Sequence, residues 1–498
     1  VSDDRPWDTP DPLVSKPVPR EGPDPWLRTG AQYRESLRDG RCVILDGRDV
    51  ADVTAEPGLA RGIDTLAGLF DAQFDPATRE VTTAIEPDSG RRIAAGWLVP
   101  RTVEDLQRRS RMIKFSTQAT FGVFGRPPDY GTVNPIGFLA FAHLIAKDHP
   151  EARAKIEACV RVGQRNNLIS TDIIVDVQAN RKLTGAELPG RLRVVERRKD
   201  GVVLYGAKAG NSVFAQGNMG SLATILNPTL PDDCAILAAL PANAPGLKLL
   251  LREPVTRGDE DPEDHPLDAR GEEADGMLIF DRVFVPDEYV FSVGNRQVLE
   301  YYHLIGQLAF WNIASRLSYR AEIFAGAVQL IVNVLGTDHV PAVRAAVTEV
   351  IAYAAALRSF MVAAEGKARP TETGVMLPDH ALVTAGRLHS IVEYPRVMQV
   401  LRELSGQGLV SRVPRRTWER ADVGPLLDTF LPGLRTSARD KNRLFNLIWD
   451  LTCSAHAMRV AIFENVNATP ASTLREELYR VYDRSEGIAV VKRLAGMD

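Results

Sequence analysis

The chain has 498 residues, 45% of them hydrophobic and 25% charged, which excludes a disordered, collagenous or coiled-coil protein and corresponds to about three packed units. Lys+Arg number 60 against 64 Asp+Glu, for a net charge of −4; with no basic surplus to neutralise phosphates, nucleic acid is not an expected partner. The four cysteines, Cys42, Cys159, Cys234 and Cys453, lack CxxC spacing and a His-x-His complement, so no disulfide framework and no metal are expected, and a reducing, cytoplasmic compartment is.

Residues 1–27 carry seven prolines between Val1 and Trp26 and neither a basic nor an apolar leader region; they read as an extended tail lying on the surface or on a neighbouring subunit. From residue 28 to 150 the pattern is helical. Thr102-Val-Glu-Asp105 has capping-box spacing and opens a helix expected to reach about Gly122. Pro150 marks the next helix start, and Ala152, Ile156 and Val160 then form one apolar stripe.

Residues 151–286 turn β-rich after that helix. Leu168 to Val177 is a run rich in Ile and Val. Leu192 to Arg197 and Val202 to Tyr205 flank Asp200-Gly201, a hairpin signal. Ala235 to Leu240, Leu247 to Leu251 and Met277 to Val285 continue the strands, with an acidic loop from Gly258 to Asp275. Residues 287–498 return to helices: Val298 to Leu335, Pro341 to Glu365, Pro378 to Leu404, Ala438 to Val460 and Leu474 to Leu494. Gly336 and Gly366 suit helix stops. No run reaches about 18 uncharged apolar residues; Leu304 to Leu335 is broken by Arg316, Arg320 and Glu322, so no membrane span is expected. Strands flanked by runs of helices mean separate layers, an α+β class.

The common catalytic fingerprints are missing. Ser405-Gly-Gln-Gly408 follows a helix and reads as a C-cap turn, not a dinucleotide loop. Neither a P-loop, a G-x-S-x-G nor an H-E-x-x-H string occurs. The most unusual string is Gly125-Arg-Pro-Pro-Asp-Tyr130. Its two prolines force an extended turn that would hold Arg126 and Tyr130 rigidly. A fixed guanidinium and a phenol hydroxyl can bind a phenolate or polarise a carbonyl. The structural alternative is a surface turn with a solvated arginine.

Eight strings in colinear order resemble the oxygenase components of the 4-hydroxyphenylacetate 3-monooxygenase family. They begin with Arg28-Thr-Gly-x-x-Tyr33 through Arg41 and Gly125 to Tyr130. Gly206-Ala-Lys208, Ala244-Pro-Gly-Leu-Lys248 with Arg252-Glu-Pro254, and Asp264-His-Pro-Leu267 follow. Phe280-Asp-x-Val283-x-Val-Pro286, Tyr394-Pro-Arg-Val397 through Gly406, and Trp449-Asp450 complete the series. The resemblance implies an acyl-CoA-dehydrogenase-like fold: an N-terminal helical domain, a central β-barrel and a C-terminal four-helix bundle, usually in a homotetramer. It implies reduced FAD delivered by a separate NAD(P)H:flavin reductase, with O₂ as co-substrate. The implied activity is hydroxylation of an electron-rich aromatic or heteroaromatic ring through a C4a-hydroperoxyflavin. The ring could arrive free or tethered to a carrier protein. The alternative class is an acyl-CoA-dehydrogenase-like or non-oxygenase flavin-binding protein.

By the same resemblance, Arg126 and Tyr130 fall on the family's substrate-binding pair. Its third partner is a histidine, and Asp172 stands at that position here. A carboxylate accepts hydrogen bonds but, when ionised, cannot donate them. Asp172 therefore favours an N–H, a neutral hydroxyl or an ammonium over a phenolate, or else pairs with Arg126 and neutralises it; its structural alternative is an ordinary hydrogen-bonded strand residue. Family flavin contacts map to Ile173, Ile174, Gln178 through Arg181, and Ser212. A Phe-Gly-Gly-Arg string in the bundle reads His456-Ala-Met-Arg459 here, leaving only the arginine. His303 is either a pocket residue near the flavin or a buried core histidine. A related 4-hydroxybutyryl-CoA dehydratase holds an iron–sulfur cluster, but this chain has Phe310 where one of its cysteines belongs, and no cysteine between Cys42 and Cys159.

Overall fold

The structure is a computed structural model and describes residues 9–20, 22–180, 182–183, 187–225, 229–300 and 306–497. The described part of the N-terminal tail, residues 9–20 and 22–27, holds no helix or strand, but it is not a loose surface strap. Leu13, Val18 and Trp26 are buried in the chain's own core, and the Arg20 guanidinium donates to the Arg165 carbonyl at 2.9 Å. The apolar residues between its prolines supply the burial that fixes it.

The helix Val103–Ala119 starts as its sequence dictates. The Thr102 hydroxyl accepts from the Asp105 N–H, and the Asp105 carboxylate accepts from the Thr102 N–H. It stops just before Gly122, which takes a left-handed φ of +69°. The helix Ala152–Asn166 buries the stripe Ala152, Ile156 and Val160. Between them the chain winds through three short helices, Pro128–Gly131, Val133–Ala140 and Ala142–Ile145. Pro127 and Pro128 set the entry to the first of these, so Arg126 and Tyr130 sit on a stiff elbow.

The β region is two open sheets, not the barrel expected. One has six strands in the order Arg48–Asp49, Cys42–Leu45, Leu247–Leu251, Gly276–Pro286, Gly201–Lys208 and Arg193–Arg198. The other has four, in the order Val290–Val293, Ile236–Pro241, Met219–Ala223 and Ser170–Ile173. No strand among the described residues pairs across the two sheets, so neither closes. The hairpin forms with Arg198 opposite Gly201, placing Lys199 and Asp200 at its tip. Cys42–Leu45 joins the larger sheet by parallel pairing with Leu247–Leu251, a long-range contact that no local pattern announces.

The strand read as Leu168 to Val177 is shorter in the structure, Ser170–Ile173. Ser170–Ile173 pairs in parallel with Met219–Ala223, Asp172 opposite Ser221. After Ile173 the chain leaves the sheet, and Ile174 and Val175 line a cavity instead. Their apolar character reflects that cavity, which is why the run looked like a continuing strand.

The C-terminal region is built on Gln307–Leu335, Pro341–Gly366 and His380–Ser405, which pack on one another. Gly336 ends the first with φ +67°, while Gly366 is the last helical residue of the second and Lys367 caps it. Gly406 ends the third at φ +54°, the C-cap role read from Ser405 to Gly408. Pro341–Gly366 is long and apolar enough by composition to cross a membrane. Here its Val350, Tyr353, Leu357 and Met361 are buried against its neighbours. The helix read as Ala438 to Val460 is two, Ala438–Thr452 and Ala455–Ile462, because Ser454 caps the second. A wide π-type turn, Phe463–Asn467, follows. The last helical stretch likewise divides into Ala471–Val481 and Ser485–Ala495.

The elbow and the strand carrying Asp172 touch at Gly131, where an added Cβ would collide with the Ser170 carbonyl. Gly131→Ala is expected to cost about 3 kcal/mol, since both neighbours are backbone and cannot yield locally. Gly487→Ala has open space inside the helix Ser485–Ala495 and should keep stability or raise it by up to about 1 kcal/mol. Denaturant midpoints of the two variants check this; equal midpoints would contradict it.

Candidate active site

Arg126, Tyr130 and Asn134 reach one cavity from the N-terminal elbow. Asp172 enters from the strand and Ile174 from just beyond it, Ser212 from the loop after Gly201–Lys208, and Phe310 and Ile313 from the bundle. Phe463 and Asn467 close it from the π-type turn. The cavity holds about 390 Å³, within the usual range for a ligand pocket of roughly 300–1,000 Å³.

Asp172 is the centre of the polar end. The Tyr130 hydroxyl donates to its Oδ2 at 2.6 Å, and the Asn134 side-chain amide donates to Oδ1 at 2.6 Å. Each carboxylate oxygen thus accepts one bond and retains capacity for another. Burial pushes the Asp172 pKa up to about 6; Tyr130, Arg126 and Asn134 each pull it the other way. The side chain is partly open to the cavity, but that opening is a protein-walled space, so the carboxylate lacks the full hydration of a surface acid.

Arg126 lies between two rings. Its guanidinium carbon is 4.3 Å from the Tyr130 ring centre and 4.6 Å from that of Phe463. It donates to the Gly125 carbonyl at 2.8 Å and to Glu464 Oε1 at 3.3 Å, and its backbone N–H donates to Glu273. Burial opposes its charge, but Tyr130, Glu464, Glu273 and Asp172 outweigh burial and hold its pKa above the usual arginine value. This cation is therefore fully committed to charge, with carboxylates on more than one side.

Behind Phe463 lies a second layer. Arg459 donates to Asp275 at 2.7 Å and to Glu273 at 2.9 Å. Ser212 and Arg252 also donate to Asp275, at 2.6 and 3.0 Å. Burial would raise the Asp275 pKa, but Arg459, Arg252 and Ser212 together bring it down to about 2. Glu273 ties the layers together, accepting from the Arg126 backbone with one oxygen and from Arg459 with the other.

Among the flavin candidates, Ile174 and Ser212 line the cavity. Ile173 does not; alternation along the strand turns it into the core, against Gly220. Gln178 is exposed and off the cavity wall. His456 is buried with Nδ1 3.2 Å from Asp268. Arg459 stacks on Phe463, 4.7 Å from its ring centre, rather than facing the cavity. Arg181 and His303 lie outside the described residues.

The structure adds partners that the sequence reading missed. Asn134 is one helical turn beyond Tyr130, an i+4 spacing that offered a signal. Glu464 and Phe463 had none, because their contact with Arg126 spans most of the chain.

Two family models cover the chain. The N-terminal model of 4-hydroxyphenylacetate 3-hydroxylase matches residues 29–292, and its C-terminal model matches residues 299–496. The chain belongs to this family. It is 30% identical over 464 residues to a 4-hydroxyphenylacetate 3-monooxygenase oxygenase component of Thermus thermophilus, covering 92% of this chain and 95% of the relative. It is 28% identical to an FADH2-dependent monooxygenase of Burkholderia cepacia, covering 89% and 87%. A crystal structure of a family oxygenase component complexed with FAD and 4-hydroxyphenylacetate superposes with a TM-score of 0.87, at 29% identity, covering 94% of this chain and 99% of that one. The fold is thus acyl-CoA-dehydrogenase-like, with two open sheets at its centre. The activity is that of the oxygenase component of an FADH2-dependent aromatic monooxygenase.

The cavity fits a flavin ring. Ile174, Val175 and Val213 present one apolar wall, and Phe310, Ile313 and Phe463 another. Gly210, at φ +65°, brings backbone close to Asn467 at the rim. An apolar slot with polar groups at one end suits a flat tricycle beside a second, smaller ring.

Proposed function

We propose that this cavity binds the aromatic ring between Tyr130, Asp172 and the flavin, and that Asp172 selects a ring presenting a hydrogen-bond donor. Reduced FAD, when bound, would supply the electrons that activate O₂ for transfer of one oxygen atom to a ring carbon. Ile174, Ser212 and the Gly210 backbone are the residues that would hold the flavin. The protein's own part is to orient, exclude water and manage one proton.

The observation that carries the reading is the Tyr130–Asp172–Asn134 arrangement. Two donors fix the carboxylate in one plane, and its remaining acceptor capacity is available to the substrate. Arg126 cannot serve as a free anion site, since Glu464 and Asp172 already balance it. A phenolate brought beside Asp172 would meet a like charge. An aromatic amine, a heteroaromatic N–H, an ammonium-bearing side chain or a neutral hydroxyl would meet an acceptor. A carboxylate with a pKa of about 6 is also suited to accept the proton released as the ring is hydroxylated.

The purified chain alone should not oxidise NADH, because it has no nicotinamide-binding fingerprint. Added flavin reductase with FAD should start oxygen uptake coupled to product formation. NADH oxidation by the isolated chain would overturn this reading, and so would a clear preference for simple phenolates over aromatic rings bearing N–H donors.

A further inference from the structure

Away from the cavity, the acidic loop before Gly276–Pro286 meets the helix Ala438–Thr452. His265 and Asp268 come from the loop, Asp450 from the helix, and one ligand-type atom of each lies within 4.8 Å of the others. Asp450 is fully buried. Its Oδ2 accepts from the backbone N–H groups of Leu267 and Asp268, at 3.0 and 3.5 Å. Its Oδ1 has no hydrogen-bond partner, and neither does the buried Nδ1 of His265. These two atoms are 3.6 Å apart, beyond hydrogen-bond reach.

We infer that His265, Asp268 and Asp450 form a binding site for one divalent first-row transition ion. Two ligands about 2.0–2.2 Å from one tetrahedral ion stand roughly 3.3–3.6 Å apart, and the 3.6 Å between the imidazole and carboxylate atoms is at the upper end of that range. One neutral imidazole and two carboxylates balance a dication. Without it, the buried Asp450 carboxylate lies beside the partly buried carboxylate of Asp268. Arg412, the cation beside Asp450, donates to the Leu409 carbonyl and the Asn446 side-chain oxygen instead. The backbone donors on Asp450 Oδ2 fix the carboxylate so that Oδ1 faces the site. His456 Nδ1, 3.2 Å from Asp268, supplies the outer hydrogen bond that a ligating carboxylate needs. A nitrogen-and-oxygen set of this kind suits zinc, cobalt or manganese rather than calcium.

The ion acts as a clip. The same loop continues into Glu272, Glu273 and Asp275, which hold Arg252, Arg459 and the Arg126 backbone. Joining the loop to the bundle helix fixes the layer behind Phe463. His265 lies in the string Asp264-His-Pro-Leu267 and Asp450 in Trp449-Asp450, but the two are far apart in the chain and no metal-ligand spacing joins them.

The test uses the full chain, stripped with EDTA and titrated with Co²⁺ and then Zn²⁺. Saturation at one equivalent per chain is expected, with a visible Co²⁺ ligand-field band that Zn²⁺ abolishes. Melting temperature should rise with metal and fall back with EDTA. His265 is half-exposed, so His265→Ala should fold normally and melt like the stripped protein, yet bind Co²⁺ at least tenfold more weakly. Asp450→Asn should lose the band. No band, binding well beyond one equivalent, or equal affinity in His265→Ala would each overturn the site. The Co²⁺ band and stoichiometry are read without flavin or substrate, so this reading and that of the flavin cavity fail independently.

Discussion

Arg126→Ala is expected to lower kcat/KM for ring hydroxylation by a few hundred to a few thousandfold. The guanidinium is buried between the rings of Tyr130 and Phe463 and faces Glu464. Removing one partner of a buried ion pair costs about 3–5 kcal/mol, because the other charge is left uncompensated. At 1.36 kcal/mol per decade, that corresponds to roughly two to three and a half decades if it is expressed in the transition state. The two rings lose the cation that spaces them, so Tyr130 should also drift from Asp172. Arg126→Lys restores charge but not a planar group that stacks on both rings, and should recover only part of the loss. The check is steady-state hydroxylation with saturating reductase, alongside FAD binding and a thermal melt. A normal rate in a folded, flavin-binding Arg126→Ala protein would remove Arg126 from the site.

Parts of this site were open to sequence reasoning for physical reasons that differ residue by residue. Arg126 and Tyr130 stood out because Pro127 and Pro128 leave the chain little conformational choice. Asp172 stood out only as a departure from the family's histidine. Its raised pKa could not be read, since burial depends on walls contributed by the bundle. Asn134 was within reach through its i+4 spacing from Tyr130. Glu464 and Phe463 were not, because their contact with Arg126 is made by tertiary folding alone. Helices followed from periodicity, but Ser454, a good N-cap residue inside an apolar run, was passed over and two helices were read as one. The barrel expectation came from the family resemblance. Strand patterns state which residues alternate, not which edges pair, so two open sheets could not be told from one closed one. Ile173 illustrates the same limit: a family contact transferred by position, while the local pleat turns its side chain into the core.

Asp172→Asn is expected to move stability and activity in opposite directions. In the folded protein the Asp172 pKa is raised from 3.8 to about 6, with burial as its main cause. The folded state therefore holds this proton more tightly than the unfolded chain does. Its contribution is most favourable below pH 4 and is lost as pH rises through about 6. Above that, the buried charge costs on the order of 2–3 kcal/mol. Asparagine carries no charge, so the variant should be more stable than the parent at pH 7.5 and no more stable at pH 4. Asn134 and Tyr130 can still bond its amide. The rate should fall instead. Losing a charged acceptor for a neutral one weakens substrate binding by about tenfold, and losing a proton acceptor lowers turnover by about a hundredfold or more. In the parent, kcat/KM should climb as pH passes about 6, where the carboxylate ionises. That limb should vanish in Asp172→Asn, and Asp172→His should turn the preference toward simple phenols. Melts at pH 4 and 7.5, set beside pH–rate profiles of parent and variant, separate the two effects. A variant stabilised at pH 7.5 but unchanged in rate and pH profile would show a buried charge with no part in the reaction. Preference for a hydrogen-bond-donating ring would then have no basis, because Asp172 is the acceptor on which it rests.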